Sequence, residues 1–154
     1  MPENTFSDFM SNRHFWTAAI ALIIAQVLKV LFDYWRTRSW KKAILLSTGG
    51  MPSSHSALAA ALTTSIGIYE GTGTPYFAVS MVLSLVVMYD AAGIRRAAGL
   101  QAEAINFIAS KLEDRGIRLD TKLKEMLGHT PFEVFGGALL GFFVTLIIHH
   151  FSLL

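Results

Sequence analysis

Four short stretches of the chain carry residue types whose spacing suits work on a phosphate group. The first is residues 47–56, STGGMPSSHS. Its glycines let the backbone turn several N–H groups toward one point. The apolar helix predicted to follow adds a positive partial charge at its start. That combination suits an anion. Ser53 is equally explained as a plain helix N-cap. His55 is harder to explain structurally, because a histidine at a helix start gains nothing from the helix dipole.

The second stretch holds Lys29 and Arg36. Seven residues are two helical turns, so both side chains project from one face. A charge inside a membrane span is costly and marks function by default. The plain alternative is a lysine that snorkels to the interface. Two cations on one face, near the Gly/Ser loop, can grip a phosphate.

The third stretch ends a span with Asp90, Arg95 and Arg96. The two arginines satisfy an orientation bias, and one of them can also face the same anion. Asp90 close by suggests a local ion pair. The fourth stretch holds His129 and Glu133, four residues apart and so on one face of a helix. A carboxylate on one imidazole nitrogen fixes the tautomer and leaves the other nitrogen as a nucleophile or base. The bland alternative is a surface histidine near a glutamate. Pro131 fits an early helical position, which places the pair at the start of the final span. Two histidines, several cations and a backbone anion nest suit phosphoryl transfer. One histidine attacks, the other protonates the leaving oxygen, and the cations hold the developing charge.

The elements that must position these residues are membrane helices. The chain has 154 residues, a length that argues for one domain spanning 1–154. Hydrophobic residues make up 53% and charged residues only 16%, against ~25% charged in soluble domains. The mean hydropathy is +0.46. A soluble globule, a disordered chain, a coiled coil and a basic nucleic-acid arm all fit poorly, and no nucleic-acid partner is expected. The absence of cysteine excludes disulfides, zinc-thiolate sites and a thiol nucleophile.

A spanning helix needs about 20 apolar residues. Residues 15–35, 76–92 and 134–154 fit that length. Residues 56–69 are apolar but short; this segment spans with help from its neighbours, from as early as Ser53, or is re-entrant. The expected fold is therefore an all-α, multi-pass membrane bundle of about four spans. Residues 93–130 have apolar positions at helical spacing (Ala97, Leu100, Ala104, Ile108, Leu112) and read as one or two amphipathic helices broken near Gly116, covering the bundle. Glu3 and Asp8 precede the first apolar run and no small-residue cleavage site follows it, so it reads as a retained span. No internal repeat is visible.

Charge orients the spans. Loops 36–55 and 93–133 hold eleven Lys and Arg; the opposite side holds Arg13 alone, and Lys29 lies inside a span. The positive-inside rule puts those loops in the cytoplasm and both termini outside. The four chemistry-bearing segments then converge at the cytoplasmic face. His14, His149 and His150 fall at the opposite face and read as interfacial.

Three of these blocks resemble a known family. Lys29-x6-Arg36, the run Pro52, Ser53, Ser54, His55, and His129-x3-Glu133 are similar to the three-part signature of the type 2 phosphatidic acid phosphatase and vanadium haloperoxidase superfamily. GGMPSSHSA, YDAAGIRRAAG and LGHTPFEVFGG resemble its short, divergent bacterial and plastid branch, in motif order over roughly residues 20–145. The resemblance implies a metal-independent phosphatase that needs no cofactor and is inhibited by vanadate. It implies that Lys29, Arg36, Ser53 and Ser54 bind phosphate, that His55 is the general acid, that His129 forms a phosphohistidine, and that Glu133 orients His129. Arg95 or Arg96 would replace an arginine that the family carries where this chain has Leu123, with Asp90 in support. Further departures are Thr37 for a proline, Ser54 for a glycine, Glu133 for an aspartate, and fewer helices than the usual six.

The implied substrate is a lipid phosphate of the phosphatidylglycerophosphate, phosphatidate or polyprenyl (di)phosphate class. It would be met in a bacterial cytoplasmic or plastid-type membrane. The alternative is a non-catalytic lipid-phosphate binder or translocator using the same cations. A structural membrane subunit would leave the convergence of four segments unexplained. A metal site built from His55, His129, Glu133 and Asp90 is disfavoured by the surrounding cations. A homo-oligomer is left open.

Overall fold

A computed structural model describes residues 5–38, 50–115, 123 and 128–151. Every regular element among them is a helix: α1 Thr5–Met10, α2 Arg13–Thr37, α3 Ser54–Tyr69, α4 Pro75–Ala92, α5 Ile94–Glu113 and α6 Pro131–His150. Local chemistry sets most of the boundaries. Asn12 caps α2 by accepting the Phe15 amide at 3.0 Å. Thr74 and Thr130 cap α4 and α6, each followed by a proline whose missing N–H costs nothing at a helix start. Gly71, at φ +94°, turns the chain between α3 and α4. Gly93 separates α4 from α5.

α3 is the central helix. It packs against α2, α4 and α6, while α6 also touches α2 and α4. Small residues make this packing close: Ala21 and Ala25 on α2, Ala57 and Ala61 on α3, Gly137 and Gly141 on α6 are all buried. A Cβ at Gly137 would collide with the Ser53 carbonyl oxygen, and one at Gly141 with that of Ala57. α6 therefore lies directly on the α3 backbone, as small residues permit between membrane helices.

Buried hydroxyls join the helices where lipid supplies no hydrophobic drive. Thr63 on α3 meets Ser84 on α4 at 2.7 Å and donates to the Ser80 carbonyl at 3.0 Å. Ser84 donates to the Ala59 carbonyl at 2.9 Å, and Thr145 on α6 to that of Ala61 at 3.3 Å. Large apolar side chains such as Val79, Val82, Val86 and Phe143 point outward instead.

Three helical stretches are long and apolar enough to cross a membrane: Arg13–Thr37, Pro75–Glu113 and Pro131–His150. α3, with 16 residues, is about 24 Å long, short of the ~30 Å hydrocarbon layer. It is nonetheless held among the other three, so the chain is an integral membrane bundle of about four spans. α2 is longer at both ends than the apolar run suggested, and α1 was not signalled by apolar spacing. The amphipathic segment does form α5, but among the described residues α5 packs on α4 alone and does not cover the bundle. The expected break near Gly116 lies outside the described residues, as do Ser47, Thr48 and Gly49 of the Gly/Ser loop.

Candidate active site

At one end of the bundle, four helices bring polar groups together around His129. The residue is 2% exposed. Its backbone N–H donates to the Ala91 carbonyl at the end of α4, at 3.1 Å, which ties the segment before α6 to that span. Its ring Nδ1 lies 3.3 Å from Glu133 Oε2. Its Nε2 is buried and has no hydrogen-bond partner among the described residues. A buried polar atom without a partner is costly, about 1–3 kcal/mol, and uncommon enough to require a reason.

Glu133 is held from two sides. Its Oε2 also accepts the Thr130 amide at 2.8 Å, while Thr130 Oγ1 accepts the Glu133 amide at 3.3 Å. This is a capping box at the start of α6. The box fixes the carboxylate so that it can receive Nδ1–H, which leaves Nε2 with its lone pair. Burial pushes the His129 imidazole below the usual histidine range. The Lys29 ammonium and His55 push the same way, and Glu133 opposes them. The ring is therefore neutral at neutral pH.

Lys29 enters from the middle of α2 and is only 3% exposed. Its aliphatic stem lies against Gly50, where an added Cβ would sit 3.4 Å from Lys29 Cγ. Gly50 has φ +99°, a conformation that favours glycine, so this position both turns the chain and admits the lysine. The buried ammonium is close enough to act on both Glu133 and His129.

The start of α3 supplies the remaining groups. Ser53 is fully buried and is the N-cap, accepting the Ser56 amide at 3.3 Å and the Ser56 hydroxyl at 3.0 Å. Its own N–H donates to the Glu133 carbonyl at 3.1 Å, which joins the first turns of α3 and α6. The capping role weighed from sequence is thus present, and the Ser53 amide is already engaged. Ser54 is the buried first residue of α3. His55 follows, exposed, and near enough to His129 to influence it electrostatically.

Other residues named from sequence stand farther out. Arg36 is exposed in the last turn of α2, and Arg96 is exposed in the first turn of α5. Among the described residues, no hydrogen bond or ion pair joins either to His129 or Glu133. The Arg95 side chain lies outside the described set. Asp90 is half-buried, next to the Ala91 carbonyl that holds His129. Sequence reasoning passed over Ala91, whose role is a backbone one with no side-chain signal. It also passed over the Thr130 cap, although Thr130-x-x-Glu133 is a legible capping-box pattern.

The other end of the bundle holds a separate polar cluster. His14 Nδ1 meets Ser65 Oγ at 2.8 Å and its Nε2 meets Glu70 Oε1 at 3.3 Å. Arg13 lies 4.5 Å over the Tyr69 ring, which also stacks edge-on with His149. His150 and Phe151 meet edge-to-face.

Among known proteins, the chain is similar to the uncharacterized membrane protein YuiD of Bacillus subtilis (strain 168). The two are 37% identical over 155 residues, which covers 94% of this chain and 98% of that protein. No solved structure matches the chain significantly. Residues 10–144, which contain Lys29, the Ser53–Ser54–His55 turn and the His129/Glu133 pair, match the family described as the Divergent PAP2 family, and the chain belongs to that family.

Proposed function

We propose that this protein is a membrane-embedded phosphatase that hydrolyses a lipid phosphate through a phosphohistidine on His129. The observation that carries the reading is the His129 ring itself. Its Nδ1 is held by Glu133, its Nε2 is buried without a partner among the described residues, and the ammonium of Lys29 is near enough to act on it electrostatically. A neutral imidazole with one fixed N–H and one open lone pair is an activated nucleophile.

In the first step, Nε2 attacks phosphorus. The N–P bond forms, the P–O bond to the lipid breaks, and His55 gives its proton to the leaving oxygen. Glu133 stabilises the positive charge that develops on the His129 ring. In the second step, water attacks phosphorus: an O–P bond forms, the N–P bond breaks and returns its electron pair to His129, His55 takes the water proton, and inorganic phosphate leaves. Lys29, the Ser53 and Ser54 hydroxyls, and Arg36 with Arg95 or Arg96 hold the phosphate oxygens as charge moves onto them. Closing Arg36 and the α5 arginines onto substrate is part of this reading. The chemistry asks for no metal, since a lysine beside His129 repels a cation.

The substrate is a phosphatidylglycerophosphate, phosphatidate or polyprenyl (di)phosphate, met from the cytoplasmic side. The eleven-to-one distribution of Lys and Arg supports that orientation. The cysteine-free chain allows a direct check. A cysteine replacing Arg96 should be shielded from an impermeant thiol reagent in intact cells, and one replacing Thr72 should react. Labelling at position 96 from outside would overturn the cytoplasmic site.

The decisive experiment is phosphate release from a panel of lipid phosphates by the purified protein in detergent. Release should survive EDTA, stop with vanadate, and vanish in His129→Ala. Tight lipid-phosphate binding without release, unchanged in His129→Ala, would make the protein a binder or translocator instead.

A further inference from the structure

Among the described residues, α3 is enclosed on three sides and open on the fourth. α2, α6 and α4 form an arc around it, and among the described residues α2 and α4 do not touch. The gap between them is a cleft of about 540 Å³. Leu58, Leu62 and Ile66 line it from α3, and Phe15 and Ala18 from α2. At ~1.5 Å per residue, Leu58 to Ile66 covers about 12 Å along the helix.

Two relationships connect this cleft to the site. His55, Leu58, Leu62 and Ile66 are spaced by three, four and four residues, so the exposed His55 begins the same face of α3 that floors the cleft. The far rim is formed by Asn12, His14, Glu70 and Tyr76, where Glu70 is already paired with His14 and Arg13 lies over the neighbouring Tyr69 ring. At the other end a phosphate headgroup meets the buried Lys29 ammonium and the N-terminus of α3, which favours an anion. The cleft therefore has a direction for an anionic amphiphile: headgroup by His55, chain toward Glu70.

We propose that the cleft between α2 and α4 is the chain-binding groove for the lipid phosphate, with the apolar tail lying on Leu58, Leu62 and Ile66. This rests on the reading of His129 as the phosphate site, and it adds where the lipid part is recognised. Headgroup contacts alone would serve any phosphate monoester. A groove lined by aliphatic side chains gives preference to a substrate with a long chain, and it lets that chain remain in the bilayer while the phosphate reaches His129.

The test uses the full-length protein in vesicles with a phosphatidic acid carrying a diazirine in its acyl chain. Illumination should place adducts in residues 58–66 and at Phe15 or Ala18. A choline lipid with the same photoreactive chain should label these positions far less. Leu62→Trp and, separately, Ile66→Trp should reduce the adducts, while His129→Ala should keep them. In kinetics, both tryptophan variants should raise KM for the long-chain phosphate about tenfold, the scale of about two methylenes lost from apolar contact. Hydrolysis of p-nitrophenyl phosphate, which has no chain, should be unchanged.

Adducts elsewhere, equal labelling by the choline lipid, or equal loss of both activities in the tryptophan variants would overturn the groove. Failure of the wild-type protein to release phosphate from any substrate would remove the phosphatase reading, and the adduct map would still decide the groove.

Discussion

Glu133 Oε2 lies 2.8 Å from the Thr130 amide and 3.3 Å from His129 Nδ1, so one carboxylate oxygen both caps α6 and holds the imidazole. The helix start and the candidate nucleophile are therefore positioned by a single group. Glu133→Gln separates the two roles. Glutamine also serves at the third position of a capping box, so the helix should keep its start and thermal stability in detergent should change little. The amide cannot stabilise a positive ring as a carboxylate does, and it permits the wrong tautomer. Turnover should fall about 10²–10⁴-fold. Glu133→Ala should lose turnover and also about 1 kcal/mol of stability through the cap. Wild-type turnover in Glu133→Gln would show that the carboxylate is only a cap.

The proposed mechanism gives the two histidines different work, one on phosphorus and one on a proton. His129→Ala should abolish turnover together with any acid-labile phosphoenzyme. His55→Ala should slow turnover by about 10²–10⁴, as for a lost general acid. That loss should shrink for substrates with good leaving groups, which need less protonation. A phosphoenzyme trapped in His129→Ala would remove the nucleophile assignment.

The pH dependence follows from the environment of His129. Burial, and then Lys29, lower its affinity for a proton. Attack needs the neutral ring, so the acid limb of turnover should lie below the ordinary histidine value of about 6.5. Stability has the same sign. The folded state resists protonation at this site more than the unfolded chain does, so the contribution is whole above about pH 6.5 and is lost as pH falls through the folded pKa. An acid limb above pH 6.5 in the wild type would contradict the assignment.

Much of the architecture was legible because membrane helices announce themselves by length and apolarity. Residues 15–35, 76–92 and 134–154 mark three helices that the structure contains with somewhat different ends. The short fourth was legible as an apolar run but not as the centre of the bundle. Its central place depends on Gly137 and Gly141 letting α6 approach, a spatial fact that spacing alone does not reveal. Lys29, His55, His129 and Glu133 were legible as chemistry-bearing types, and the structure brings them to one end. Arg36 and Arg96 were named on spacing and charge, and they stand exposed, because a helix face says which way a side chain points and not how far its neighbour lies. The commitment of the Ser53 amide to Glu133 was beyond reach for the same reason.

The approach of α6 to α3 gives a prediction independent of chemistry. A methyl at Gly141 would meet the Ala57 carbonyl, and one at Gly137 the Ser53 carbonyl. Backbone atoms cannot rotate aside as a side-chain tip can. Gly141→Ala should therefore force the helices apart and destabilise the protein by about 1–3 kcal/mol, the usual scale of overpacking. Gly73→Ala has open space around its Cβ and serves as the control. Equal thermal stability of the two variants in detergent would show that α6 does not sit on the α3 backbone.

Lys29 provides the sharpest separation between structure and function. A snorkelling lysine keeps its ammonium in water, yet this residue is 3% exposed, with its stem against Gly50 and its charge within electrostatic reach of Glu133 and His129. Methionine matches the stem and lacks the charge. Lys29→Met should remain folded and inserted, because the packing on Gly50 is retained. It should lose phosphate, vanadate and substrate binding together, because the bound anion loses a charge-assisted partner in a poorly hydrated site. It should also move the acid limb of any residual turnover to higher pH, since one of the influences that disfavour the His129 imidazolium is gone. Lys29→Arg should rescue only in part, since the planar guanidinium is longer and Gly50 closes one side of its path. Vanadate inhibition and turnover that survive Lys29→Met unchanged would reduce Lys29 to a packing residue and take α2 out of the site.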